Sequence, residues 1–287
     1  MKNTATDAFI RDFVIEESMP KLNLRTLTSK WWFYLLLFLI PLLVPPYTSK
    51  SLAYEQVGEL MGIVVREALK PYDWLAPAFH LATILLVILL WKFNTKVSKY
   101  FHAYLAVNFV FMALAQNITF NEKFGFVIIF NNLLHILLIG ILWVSAIFRH
   151  GKEFASVELE KWRFWAVPLA ILAFWAPMNG LGQPDFNPML LLTSEYGLAF
   201  CFTAPVIIFV LTLYYPNIYK PAFRFLCFVG AYIGLLNLNG PLIIPGYPLW
   251  VAILHIPLFT ISIYGLALEK IKTKAQQIKS TQIGVLS

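Results

Sequence analysis

Charge is scarce in this chain. Asp, Glu, Lys and Arg make up 13% of its 287 residues, against roughly 25% in a soluble globular domain. Away from their ends, the long apolar runs hold no acidic or basic residue at all. That absence speaks against an arginine-ladder voltage sensor, a mid-span retinal lysine and a carboxylate proton relay. Cysteine is nearly missing too. Cys201 and Cys227 both fall inside apolar runs, with neither metal-ligand spacing nor a disulfide framework, and read as small packing residues. No P-loop, dinucleotide fingerprint, HExxH or nucleophile elbow is present. The connections between runs are too short for a soluble catalytic domain, so an enzyme is the less favoured class.

Apolar residues, in contrast, make up 59% of the chain and aromatic residues 16%. Eight apolar runs stand at 29–47, 74–92, 100–118, 124–148, 162–178, 195–215, 222–239 and 247–267. Each is close to the ~20 residues needed to cross ~30 Å of hydrocarbon, and the fourth is long enough to tilt. The expected fold class is all-α, a polytopic integral membrane protein with eight transmembrane helices. Trp31, Trp32, Tyr47, Trp74, Trp91, Trp162, Tyr214 and Tyr215 lie near run ends, where amphipathic rings prefer the membrane interface.

The net charge of +7 is not spread as a nucleic-acid surface would be, and no nucleic-acid partner is expected. With the N-terminus placed inside, 18 of the 22 basic residues fall in the inner segments. The outer ones are Lys50, Arg66, Lys70 and Lys123. This positive-inside bias puts both termini in the cytoplasm, in a cytoplasmic (plasma) membrane. The first run, with basic residues before it and Ser51-Leu52-Ala53 after it, loosely resembles a cleavable signal. The 28 residues ahead of the run are long for one, so it is read as a retained span.

The chain also resembles itself. Lys30-Trp31-Trp32-Phe33-Tyr34 is echoed by Lys161-Trp162-Arg163-Phe164-Trp165, and Pro46 by Pro177, at an offset of 131. Asn117 is echoed by Asn237, and Leu134-His135-Ile136 by Leu254-His255-Ile256, at an offset of 120. Ala78-Phe79 and Ala199-Phe200 form a further pair. Repeats of this kind are read first. An even number of spans per copy makes the two copies parallel, and sites in such proteins sit where the halves meet.

The expected organisation has a cytoplasmic segment 1–28 with an apolar stripe (Phe9, Ile10, Phe13, Val14). A first four-helix repeat follows at 29–148, then a second at 162–267 and a basic tail at 268–287. Between the first two runs, Leu52, Val57, Leu60, Met61, Val64, Val65 and Leu69 recur at helical spacing. They predict an outer amphipathic helix near 50–70, either a lid or a passive interfacial connector. Pro41, Pro45, Pro46, Pro168, Pro177 and Pro205 interrupt or end spans, and matched prolines of this kind point to binding sites.

The polar residues inside the runs are histidine and asparagine. Under this topology His80, Asn131, His135, Asn237 and His255 all collect in the outer half. Asn131 and His135 share one helix face, being four residues apart. Desolvation turns such groups toward the bundle interior. Each His can serve as interhelical glue, as a lining residue of a polar cavity, or as a haem ligand. The first functional reading is a transporter-like or small-ligand-binding protein whose site is lined by His135, His255, Asn131, Asn237 and His80. The alternatives are a membrane anchor of a redox complex that binds quinone or haem, and a structural subunit with no ligand of its own. The partners expected are the lipid bilayer, a small molecule and other subunits of a membrane complex.

Overall fold

The computed structural model describes residues 24–148, 153–155, 161–244 and 246–268. The stripe of Phe9, Ile10, Phe13 and Val14 and the tail lysines Lys270, Lys272, Lys274 and Lys279 lie outside these residues. The chain is mostly helical, at 72%. Its main helices are α1 (Trp31–Leu43), α2 (Val57–Leu69), α3 (Ala76–Phe93), α4 (Ser98–Ala115), α5 (Phe130–Ile147), α6 (Val167–Trp175), α7 (Phe200–Tyr214), α8 (Lys220–Leu238) and α9 (Leu249–Leu268). Among the described residues, four helical stretches are long and apolar enough to cross a membrane: Val57–Lys96, Phe130–Ile147, Lys220–Leu238 and Leu249–Leu268. The first of these joins α2 to α3 through the tight turn Lys70–Leu75.

Burial runs opposite to that of a soluble protein. Leu81, Ile84, Leu85 and Ile88 form an exposed stripe along α3, and Ile141, Val144 and Phe148 do the same on and just after α5. The interior meanwhile holds His80, Thr83, His102, Asn108, His135, Ser194, Thr203, His255 and Ser262. Contiguous exposed leucine and isoleucine faces of this extent are costly in water, whereas polar groups belong inside when lipid is the solvent.

Helix starts follow from the prolines. Pro77, Pro168 and Pro221 occupy the first turn of α3, α6 and α8, where the missing amide has no intrahelical partner to lose. Pro168 therefore opens its helix, although its place in the run had suggested an interruption. Pro205 lies inside α7 and deprives the Cys201 carbonyl of its usual donor.

The chain is not wholly α-helical. A three-stranded antiparallel sheet pairs β1 (Tyr47–Thr48) and β2 (Ile118–Asn121) with a central β3 (Gly125–Ile128). The fourth apolar run thus begins as a strand, and its helix starts only at Phe130. Phe126-Val127-Ile128 is an aromatic and β-branched sequence that suits a strand, and Gly125, at φ +74°, closes the turn before it. The amphipathic helix α2 lays Leu60 and Val64 on Phe124, Val127 and Ile129. Asn121 Nδ2 donates to Glu67 across 2.7 Å, and Lys123 pairs with Glu59 at 2.6 Å. Helix and sheet together form a cap over one end of the bundle.

At the other end Arg163, one of the basic residues assigned to the inner side, is fully buried. Its Nη1 donates to the carbonyls of Thr212 (2.9 Å), Leu213 (3.2 Å) and Tyr215 (2.9 Å). These carbonyls belong to the last turn of α7 and its cap residue Tyr215, where helical donors run out and the helix dipole is negative; that of Thr212 also accepts from the Tyr215 amide at 3.4 Å. Helices α8 and α9 touch through glycine: a Cβ on Gly234 would sit 2.9 Å from the Phe259 Cα.

Candidate functional site

Helix α7 starts late. The sixth apolar run begins at 195, yet the chain is non-helical until Phe200, and Ser194, Tyr196, Gly197, Leu198 and Ala199 are all buried. Non-helical backbone inside a membrane bundle needs protein partners for every polar group. Here α3, α4 and the first turn of α7 supply them. Asn108 Nδ2 donates to the Gly197 carbonyl at 2.7 Å. The Gly197 amide donates to Thr203 Oγ1 at 2.8 Å, and the Phe200 amide to Gln116 Oε1 at 3.0 Å. Gly197 stands at φ +81°, and a Cβ there would run into the side chain of Phe79. Only glycine suits both the backbone angle and the contact.

Two side-chain chains cross the seam between α3 and α4 on one side and α6, α7 and the unwound segment on the other. In the first, the Tyr196 hydroxyl donates to Thr83 Oγ1 at 2.9 Å. Thr83 Oγ1 meets the Tyr104 hydroxyl at 2.6 Å, and that hydroxyl donates to the Phe79 carbonyl at 3.3 Å. The second is centred on His80. Its Nδ1 lies 2.8 Å from the Ala76 carbonyl. Its Nε2 lies 3.2 Å from Ser194 Oγ and 3.3 Å from the Phe174 carbonyl. The ring sits between those of Phe174 and Tyr196, with centroids 4.7 and 5.0 Å away.

Of the five residues singled out in the sequence, only His80 belongs to this seam. Asn131 and His135 are together on α5, where His135 Nδ1 donates to the Asn131 carbonyl at 2.7 Å. The His135 ring packs against Phe225 and Tyr232 of α8, and the Asn131 side chain acts on the Tyr232 hydroxyl. His255 Nδ1 donates to the Val251 carbonyl at 2.7 Å, and its ring faces Phe202. Asn237 accepts from the Tyr247 hydroxyl at 2.9 Å. No hydrogen bond or ring contact among the described residues joins His135 to His255. Both are buried, and the Nε2 of each is without a hydrogen-bond partner among those residues. The Leu37 backbone acts on the His135 ring without meeting hydrogen-bond geometry.

Thr83, Tyr104, Asn108, Ser194, Tyr196, Gly197 and Thr203 carry no sequence signal of their own. The one usable hint is the cluster Thr-Ser-Glu-Tyr-Gly at 193–197, a turn-forming composition at the start of an apolar run. Among the described residues no group of three or more His, Cys, Asp or Glu is placed to hold a metal ion. No known protein family, curated protein or solved structure matches this chain.

Proposed function

We propose that this is a polytopic membrane protein of two parallel four-helix halves that binds a small polar solute at the seam between them, in the manner of a carrier. The observation that carries the reading is the buried, unwound segment Ser194–Ala199, clasped by Asn108, Gln116, Thr203 and the Thr83–Tyr196 pair. Broken helices at the junction of repeats are where carriers bind their substrates, and non-helical backbone at membrane depth is tolerated only where protein holds it or it lines a cavity.

The assignment of halves has its own support. The eight apolar runs each contain one helix, in the order α1, α3, α4, α5 and α6, α7, α8, α9. Matched polar residues also behave alike. Asn117 Nδ2 donates to the Ala113 carbonyl and Asn237 Nδ2 to the Ile233 carbonyl, both four residues back at 2.9 Å. His135 and His255 both donate four residues back at 2.7 Å. On this reading each half spans the membrane four times, with the cap outside, both termini inside, and the basic residues distributed accordingly.

The test is native mass spectrometry of the protein in lipid nanodiscs. It is paired with thermal-shift measurements against a panel of amino acids, sugars and nucleosides. A retained or stabilising solute should lose its effect in Tyr196→Phe and Asn108→Leu. If no polar solute is retained or stabilises, the carrier reading fails.

One observation favours an anchor that binds haem or quinone. His135 and His255 fix the Nδ1–H on a carbonyl and keep the Nε2 lone pair unbonded, the form in which imidazole ligates iron. A visible absorption spectrum with a Soret band would favour this second reading, with His135 and His255 as ligands. A featureless spectrum removes haem from this reading.

A further inference from the structure

His80 is short of one proton. Its Nδ1 faces the Ala76 carbonyl at 2.8 Å, and a carbonyl only accepts, so Nδ1 carries the hydrogen of the neutral ring. Its Nε2 then faces two groups, the Phe174 carbonyl at 3.3 Å and the Ser194 hydroxyl at 3.2 Å. Ser194 Oγ is itself 3.2 Å from the Phe174 carbonyl. The single hydroxyl proton can satisfy Nε2 or Phe174, never both. Phe174 lies in the last turn of α6, where carbonyls have no helical donor. The neutral site therefore leaves one buried acceptor unanswered.

We propose that His80 is a proton-binding site at the seam. A proton taken from water adds to Nε2, and the imidazolium then donates to Ala76 through Nδ1 and to Phe174 or Ser194 through Nε2, while Ser194 answers the remaining acceptor. No bond other than N–H forms, and the same proton returns to water on release. Removing a charge from water is costly. Here the two carbonyls are charge-assisted partners, and the rings of Phe174 and Tyr196, at 4.7 and 5.0 Å, lie within the ~6 Å reach of a cation–π contact. The groups that face the ring come from three elements. They are Ala76 on α3, Phe174 on α6, and Ser194 with the phenol of Tyr196 in the unwound segment. The half-buried carboxylate of Glu195 follows Ser194 in the chain, and Tyr104 on α4 lies beyond Thr83. Protonation ties α3 to the C-terminal end of α6 across the seam. The inference rests on the carrier reading for its use, since it makes the proton the coupling ion of that carrier.

The experiment is a histidine titration by nitrogen NMR on the full chain in nanodiscs, with no solute added. Five histidines contribute signals, and His80→Gln assigns the one in question. The expected result is a His80 ring that carries one protonated nitrogen in alkaline buffer and gains the second, on Nε2, as the pH is lowered. A ring that keeps a single proton at the lower pH, in protein that is still folded, overturns the proposal. Should His80→Gln fail to fold, Phe174→Leu keeps every hydrogen-bonding group and identifies the same resonance by its changed ring-current shift. That variant should also lower the titration midpoint by about half a pH unit, the equivalent of one lost aromatic contact. Because no solute is present, a missing solute and a missing proton are separate failures.

Discussion

Asn108 on α4 and Gly197 in the unwound segment are joined by a 2.7 Å hydrogen bond from side-chain amide to backbone carbonyl. The Gly197 amide is held from the other side by Thr203. One residue without a side chain is thus held by a neighbouring helix, α4, and by the first turn of α7 itself.

Gly197→Ala should be among the most damaging single-methyl changes in the chain. Its positive φ costs ~1–2 kcal/mol for any residue with a Cβ, and overlap with Phe79 adds an overpacking penalty of ~1–3 kcal/mol. Thermal unfolding in detergent reads the sum. A midpoint equal to that of the unaltered protein would show that the segment does not hold this conformation.

Tyr196→Phe and Thr83→Val should each destabilise, but the double variant should lose less than the two losses added. Direct hydrogen-bond partners couple by ~0.5–3 kcal/mol, and interhelical bonds in membranes fall at the lower end, near ~0.6–2 kcal/mol. Additive losses would mean that the 2.9 Å contact contributes nothing.

The cap separates packing from charge. Leu60→Ala, on a residue fully buried against Phe124 and Val127, should cost ~2–5 kcal/mol of cap stability. Lys123→Ala removes an ion pair whose partners are each nearly half exposed and should cost under ~1 kcal/mol. Hydrogen exchange of the β2 and β3 amides measures both. Equal effects from the two changes would contradict the cap geometry.

Arg163→Met should loosen the end of α7, because a single Nη1 serves three carbonyls there. Leaving buried acceptors without a donor costs ~1–3 kcal/mol each. The amides near Tyr214 should exchange faster while those near Phe200 stay protected. Uniform loss of protection would point to global unfolding instead.

Compartment-specific reporters fused after residue 287 and inserted near residue 185 should report opposite sides of the membrane. The expectation follows from the 18 basic residues assigned to the inner segments under the positive-inside rule. Matching compartments would remove the eight-span topology.

The helices were legible because an apolar run near ~20 residues is most simply a helix. The sheet was not, because Phe126-Val127-Ile128-Ile129 merges into the apolar run that becomes α5, and hydropathy does not distinguish a strand from a helix over four residues. His80 stood out by residue type alone. Its partners did not, because Thr83, Tyr104, Ser194 and Tyr196 are unremarkable one by one and meet only through folding across sequence separations as large as 114 residues. Arg163 was placed at its end of the bundle by the charge pattern, but charge counting carries no information about burial or about which carbonyls an arginine finds.

The cap has one further consequence. Helix α2 passes into α3 through the helical turn Lys70–Leu75, and α3 presents His80 and Thr83 within its first three turns. Asn121 and Lys123 fasten α2 to the hairpin that separates α4 from α5. The cap and the seam are therefore two ends of one tiller, with no slack linker between them. A nanobody gripping the polar face around Glu59 and Lys123 should hold the seam in one setting from the aqueous side, without entering the bilayer.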